Sequence, residues 1–429
     1  MIIEVRVDNC LVFANPAKIS LRADMRNKKL AFNVATAGNI NILKSLCIYG
    51  PNNVGKTCFL RAIRYIKDVM LNVRPLGIQP NLFTGHGVCS LGITFLQNSK
   101  VYKFDFKFDF RKDEFVYERF SEIIRDKHGN EKDDLYLEKD TVNSTIFAKD
   151  NTALADVLKV MGKDNIAIYL IDVAKFPILE NIKKILADFA NTIDIINMNN
   201  IPLEKTIELL KKNNGQQRKI VNFIKNADLE IEDYKYSKHF FEKLGLKDKK
   251  GKDIFPEECA LKHKENYLDQ FCLVSVHKGK EVPSLFIDST GTKKIVALAS
   301  YVIDAIEQGR TLVIDELDSS LHFSLTRAIV ALFNNEINKS GQLIFSAHDI
   351  SLLDCKKLFR KEQIWFIYRT KEDVYVYSLA DFTARKNGTR DTSDIMEHYK
   401  KGLYGALPRP DLISTLGKQE KFCKNVRKG

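Results

Sequence analysis

Apolar residues run along the chain in three rhythms. From Val101 to Phe110 they alternate, with Phe104, Phe106, Phe108 and Phe110 on one face and Lys103, Asp105, Lys107 and Asp109 on the other. That period of two predicts a half-buried antiparallel strand. Leu91–Leu96 alternates in the same way, and Arg111 to Glu114 turns the chain into a further strand, Phe115–Phe120. An aromatic row of this kind packs a core far more often than it stacks nucleic-acid bases. Short strands are also predicted at Met1–Val7, Lys18–Arg22 and Leu30–Val34, with a turn at Asn15-Pro16.

The second rhythm is unbroken. Leu46–Tyr49, Thr311–Ile314 and Gln342–Phe345 are short apolar runs, the pattern of strands buried on both faces. Phe271–Val276, Ile364–Tyr368 and Val374–Leu379 also read as strands, with Trp365 in the core. The third rhythm is helical. Phe59, Leu60, Ile63, Ile66 and Met70 predict a helix from Cys58 to about Leu71. Further helices are predicted at Ala153–Met161, Ile178–Phe189, Leu203–Lys212, Gln217–Asn226, Lys293–Glu307 and Phe323–Asn334. Ser289 suits an N-cap for the helix opening near Lys293, and Gly309 a stop. Breakers stand at Pro75 to Gly87, His128-Gly129-Asn130, Asn199 to Pro202 and Asn213-Asn214-Gly215, and Lys247–Lys252 reads as an exposed loop. The chain therefore divides into a strand-rich lobe at 1–150, a helical insertion at 151–265 and a second lobe at 266–429.

Chemistry gathers where the unbroken strands end. Leu46–Tyr49 leads into Gly50-Pro51-Asn52-Asn53-Val54-Gly55-Lys56-Thr57 and then directly into the helix at Cys58. Strand, glycine-rich loop and helix in that order form a phosphate loop. Glycines let the backbone approach a phosphate and aim its N–H groups inward, and the helix N-terminus adds partial positive charge there. Lys56 is placed to reach the β- and γ-phosphates, and the Thr57 hydroxyl to hold Mg²⁺. The strand Thr311–Ile314 ends in adjacent carboxylates, Asp315 and Glu316, and the strand Gln342–Phe345 ends at Ser346-Ala347-His348. Buried strands do not end in paired acids for packing reasons, because unpaired charge there is costly. Aligned along one edge of a parallel sheet, where ligands bind at the carboxyl ends of strands, these segments would meet. Asp315 would share Mg²⁺ with Thr57, Glu316 would orient or deprotonate a water, and His348 would stabilise the γ-phosphate.

Composition narrows the partners. In 429 residues Lys plus Arg exceed Asp plus Glu by 67 − 55 = 12, which raises the case for a nucleic-acid or other polyanionic partner beside a merely solubilising excess of lysine. The eight cysteines form no C-x-x-C pair, so a disulfide framework or zinc site is not expected. No run of 18 apolar residues is present, and the first strand carries acidic residues, so neither a membrane span nor a signal peptide is expected and a reducing cytoplasm is the expected compartment.

These segments resemble the ABC-like branch of ATPases, which includes SMC-type, RecF-type and OLD-type heads. Residues 50–57 are similar to a Walker A motif and Leu312–Glu316 to a Walker B motif with its catalytic glutamate. Leu317–Leu321, with Asp318, resemble a D-loop, and His348 a switch histidine. Ser289-Thr290-Gly291 resembles the signature motif, although the leucine that usually precedes the serine is missing. Gln79, more than Gln97, is the candidate for the metal-contacting Q-loop glutamine. The resemblance implies an α/β P-loop NTPase fold of ABC-ATPase type, with an amino-terminal antiparallel β-layer and a helical insertion. It implies ATP and Mg²⁺ bound by residues 50–57, Cys58, Asp315 and Gln79, with Ser289, Gly291 and Asp318 also at the nucleotide.

The run Ile48 to Asn52, the run Asp315 to His322, Gln342–His348 and Tyr404-Gly405-Ala406-Leu407-Pro408 further resemble stand-alone bacterial ATPases of abortive-infection and anti-phage systems. That resemblance implies an ATP-dependent homodimer and a separately encoded effector, such as a TOPRIM-type nuclease or a toxin. Other readings are a DNA-binding repair or recombination head of SMC or RecF type and a self-contained ATP-dependent nuclease. The missing heptad repeats argue against long coiled-coil arms.

Overall fold

The computed structural model describes residues 1–37, 40–74, 77–126, 130–160, 166–170, 176–212, 215–227, 230–237, 269–370, 373–383 and 394–407. The expected loop at Lys247–Lys252, part of the turn at His128-Gly129 and Pro408 lie outside these residues.

Two large sheets carry the fold. The first is antiparallel, in the order β10-β9-β8-β7-β6-β1-β2. Its strands are β1 (Ile2–Asp8), β2 (Ala17–Ser20), β6 (Val88–Gln97), β7 (Lys100–Asp109), β8 (Glu114–Arg125), β9 (Glu131–Asp140) and β10 (Thr145–Ala148). The alternation in β7 works as the period of two requires, with Phe104, Phe106 and Phe108 buried. Between β2 and the next sheet, β3 (Val34–Ala37) and β4 (Ile40–Leu43) form a small hairpin. The strand expected at Leu30–Val34 is instead a short turn of helix followed by β3, and Leu30 itself has a left-handed φ of 47°.

The second sheet has the order β11-β15-β16-β5-β17-β18. It is built from β5 (Ser45–Tyr49), β11 (Ile193–Asn197), β15 (Thr311–Asp315), β16 (Gln342–Ser346), β17 (Ile364–Arg369) and β18 (Val374–Ser378). All neighbours pair in parallel except β17 with β18. Every residue of β5, β15 and β16 is buried, which explains their unbroken apolar runs. Trp365 in β17 is half-buried and packs against the core rather than inside it.

Helices fill both sides of the parallel sheet. On one side, α1 (Lys56–Met70) and α4 (Pro177–Ala190) lie in one core with the antiparallel sheet, where Ile48, Val313 and Ile344 join them. Here Phe95 of the antiparallel sheet stacks on Phe189 of α4, with ring centroids 4.0 Å apart. The short α2 (Thr152–Val160) and α3 (Ala167–Leu170) precede α4. On the other side, Cys47, Tyr49, Leu312, Ile314, Leu343 and Phe345 pack against later helices. A third cluster joins α5 (Glu204–Lys211), α6 (Gly215–Asn226) and a small antiparallel sheet of β12 (Asp233–Tyr236), β13 (Leu273–His277) and β14 (Lys280–Pro283). After β14 come α7 (Ser284–Ile287), α8 (Thr290–Gln308) and α9 (Phe323–Phe333), and α10 (Ile395–Lys400) lies near the end of the described chain. As expected, Ser289 caps α8 and Gly309 ends it at φ 67°.

Several strands went unread, β4, β9, β10, β11, β12 and β14. The stretch 151–265 is not wholly helical, because β11 inside it forms the edge of the parallel sheet beside β15. Its run Ile193 to Ile196 is short and ends in asparagines, so nothing in its period separates it from a loop between helices. Among the described residues no helix is long and apolar enough to cross a membrane.

Candidate functional site

Because β11, β15, β16 and β5 run parallel, their carboxyl ends open on one edge of the sheet. The phosphate loop leaves β5 there. Gly50 sits so close to the β17 backbone that a Cβ at this position would lie 2.2 Å from the Ile367 carbonyl oxygen. Gly55 caps α1 with a φ of +119°, where a side chain would also strike Val12. Asn52 and Asn53 are exposed at the tip of the loop, and Val54 is buried beneath it.

Lys56 is the first residue of α1 and is buried. Its Nζ donates to the Gly50 and Pro51 carbonyls at 2.6 and 2.9 Å, folding back across the cradle where a phosphate would lie. Burial pulls this ammonium down to about 8, against the upward pull of Glu316, Asp315 and Asp318. The Thr57 hydroxyl donates to Asp315 Oδ2 at 2.9 Å, so residues 258 positions apart in the chain are in direct contact. A hydroxyl and a carboxylate are hard oxygen donors and suit a Mg²⁺ ion that completes its shell from phosphate and water. Among the described residues no group of three or more His, Cys, Asp or Glu side chains forms a denser metal site.

The acids are held from β16. Ser346 Oγ donates to Asp315 Oδ1 at 2.7 Å and accepts the Glu316 N–H at 2.8 Å. Glu316 has a left-handed φ of 58°, unusual for a residue with a side chain. Such strain persists only where the surroundings fix it, and it gathers at functional positions. His348 comes close enough for its charge balance to depend on this edge. Burial and the Lys56 charge hold its imidazole below the ordinary histidine range, with Asp318, Glu316 and Asp315 opposing.

Two expected contacts lie elsewhere. Gln79 is not bonded to Thr57 or Asp315. Its carbonyl accepts the Leu11 N–H at 2.8 Å, and it lines a cavity of about 470 Å³ with Val12, Cys58, Phe83, Arg369 and Asp373. The side chain that comes near the Thr57–Asp315 pair is Asn197, at the end of β11, with Nδ2 3.5 Å from Asp315 Oδ2. Asn199 Nδ2 lies 3.4 Å from Glu316 Oε2. The cavity beside Cys58, one residue beyond Thr57, has room and apolar wall for the nucleoside of a bound triphosphate. Asp318 is engaged within the fold: one oxygen accepts the His348 and Asp349 N–H groups at 2.7 and 2.6 Å and ties the loop after Glu316 to the end of β16.

The contacts of Ser289 and Gly291 are within α8 and with the loop after Glu316. Ser289 Oγ accepts the Thr292 N–H at 3.1 Å, and a Cβ on Gly291 would lie 2.9 Å from the Ser320 carbonyl. Lys294, one turn along α8, donates to the Ser319 carbonyl at 3.1 Å and to Ser320 Oγ at 3.2 Å. Ser346, Asn197 and Asn199 do not stand out in the sequence. The one available signal is a β-branched run, Ile193 to Ile196, stopping at polar residues as the other buried strands do.

The chain is similar to the SMC head domain from Thermotoga maritima, at 11% identity and a TM-score of 0.38 over 88% of this chain and 98% of that one. It is also similar to an SMC head bound to the C-winged helix domain of ScpA, at 12% identity and a TM-score of 0.42 over 88% and 97%. No curated protein matches it. The family described as "AAA domain, putative AbiEii toxin, Type IV TA system" matches residues 45–354, from the start of β5 past His348. The chain belongs to this family of AAA domains.

Proposed function

We propose that the chain is a Mg²⁺-dependent ATP hydrolase whose nucleotide-bound copies pair, serving as the switch of a bacterial abortive-infection or anti-phage system that gates a separate effector. The observation that carries the reading is the meeting of Thr57, Asp315, Glu316 and Ser346 at one sheet edge, with the Thr57–Asp315 bond at 2.9 Å. Backbone N–H groups of residues 50–57 would bind the phosphates, and Lys56 would turn from its loop carbonyls to the β- and γ-oxygens. A Mg²⁺ ion at Thr57 and Asp315 would neutralise charge on the phosphates. Glu316, its backbone fixed by Ser346, would take a proton from the attacking water. His348 would donate to the γ-phosphate.

Ser289–Gly291 lies at the N-terminus of α8, where the first N–H groups of the helix would suit phosphates held by a second copy. The description of the family as a putative toxin of a toxin–antitoxin system supports the defence setting. The same words also fit a chain that is itself the toxic component.

Glu316→Gln tests the first part. With Mg-ATP the variant is expected to bind without turnover and to form a dimer seen by light scattering. A variant that stays monomeric at saturating Mg-ATP sinks the pairing. Expressing the wild-type chain alone in cells separates the two defence readings, since growth arrest without any partner gene favours the toxin. The surplus of 12 positive charges keeps a DNA-binding head as the second reading, tested by salt-sensitive binding to plasmid.

A further inference from the structure

Behind Ser289 lies a buried polar cluster that the reaction does not use. The Asp288 side chain is wholly shielded from solvent. Ser275 Oγ donates to its Oδ1 at 2.7 Å, and Ser284 Oγ donates to its Oδ2 at 2.6 Å. The Tyr234 and Ser284 hydroxyls are 2.6 Å apart. With the Ser284 proton committed to Asp288, Tyr234 is the donor. His277 Nε2 lies 3.1 Å from Ser275 Oγ and 3.4 Å from Asp288 Oδ1, and its ring is partly exposed. Ser, His and Asp together suggest a hydrolytic triad, but the connections are wrong for one. Ser275 gives its proton to the carboxylate, is itself fully buried, and meets the same imidazole nitrogen that faces the acid.

The cluster joins β12, β13 and α7 to the turn before α8. Between α7 and α8 stand only Asp288 and Ser289, both extended, at ψ 145° and 161°. Fixing Asp288 therefore fixes the direction in which the first N–H groups of α8 point. A carboxylate kept out of water is retained only where hydrogen bonds compensate, and here they come from hydroxyls on neighbouring elements. The other side of the same helix turn is held by Lys294 and by the contact of Gly291 with Ser320.

We infer that Asp288 is a positioning residue for Ser289–Gly291, clamped by Ser275, Ser284 and His277 so that the small sheet β12–β14 and the phosphate-facing end of α8 move as one body. The inference rests on the reading that this segment closes over nucleotide bound by a second copy. The inserted sheet thereby acquires a role, because whatever shifts β13 shifts the closing segment.

The test uses the full chain carrying Glu316→Gln, with Mg-ATP binding by single subunits and ATP-dependent dimerisation measured separately. Adding Asp288→Ala is expected to weaken the dimer about tenfold or more while single-subunit ATP affinity stays within about twofold, because the phosphate loop is untouched. Asp288→Asn should restore most of the loss, since its amide oxygen still accepts a hydroxyl. Ser284→Ala, which removes one neutral donor, should weaken the dimer about threefold. If Asp288→Ala does not fold, Ser284→Ala and Tyr234→Phe carry the same comparison. Dimers as tight as the parent in the folded variants overturn the inference, and so does a loss of ATP binding in step with dimerisation. A parent that never dimerises is a different result: it removes the pairing of copies itself, and this inference with it.

Discussion

In the parallel sheet, β5, β15 and β16 are buried throughout and hold no charged side chain until Asp315, at the carboxyl end of β15. In the antiparallel sheet, charge is spread along the strands. On the face opposite the phenylalanines Arg6 pairs with Glu4 and Asp105 at 2.8 Å each and Arg119 with Asp133 at 3.1 Å. A sheet covered on both faces has one outlet for polar chemistry, the ends of its strands. A sheet with one wet face can carry charge anywhere, and here cations and anions there neutralise one another.

The contrast can be broken most severely at the core. Phe345→Ala, in fully buried β16, is expected to lower stability by about 3–5 kcal/mol in urea unfolding. A loss below about 1 kcal/mol would mean that the Phe345 face of β16 is not packed. At the strand end, Glu316→Gln should reduce the rate of ATP hydrolysis about a hundredfold or more, with binding retained. Hydrolysis near the wild-type rate would remove Glu316 from the chemistry.

Next comes pH. With Lys56 at about 8 in the free protein, it is charged below that value and neutral above it. Phosphates favour the charged form, so ATP affinity should hold steady below pH 8 and then fall by up to about tenfold per unit as the pH rises, followed by calorimetry. Affinity flat from pH 7 to 10 would contradict the burial of this ammonium. Phe83→Ala, at the exposed rim of the cavity beside Cys58, should weaken ATP about threefold to tenfold and leave binding of inorganic triphosphate unchanged. Equal losses for both ligands would exclude the cavity as the nucleoside site. Smallest is Arg119→Ala on the ion-paired face, expected within about 1 kcal/mol of wild type with salt-dependent DNA binding unaltered.

What the sequence made legible follows from the same contrast. Lys56 and Thr57 stand out by the phosphate-loop pattern, Asp315 and Glu316 because buried strands rarely end in charge, and the glycines of the loop are demanded by backbone approach at Gly50 and a left-handed cap at Gly55. Asn197 and Asn199 were hidden because asparagine after a short apolar run is also the ordinary residue of a turn. Ser346 was hidden because a serine announces no partner, and its bond to Asp315 spans 31 residues. Gln79 drew attention by residue type alone, and the fold of the loop after α1 takes it to the cavity instead. Tyr404 proves to be a packing residue: it is buried and stacks on Phe366 with ring centroids 5.7 Å apart.

Thr57 and Asp315 are expected to share one metal ion with a triphosphate seated in the loop. The most direct measurement is ATP affinity with and without Mg²⁺ in the wild type and in Asp315→Ala. Mg²⁺ is expected to tighten ATP binding in the wild type and to have little effect in the variant. The same Mg²⁺ dependence in both proteins would contradict the account.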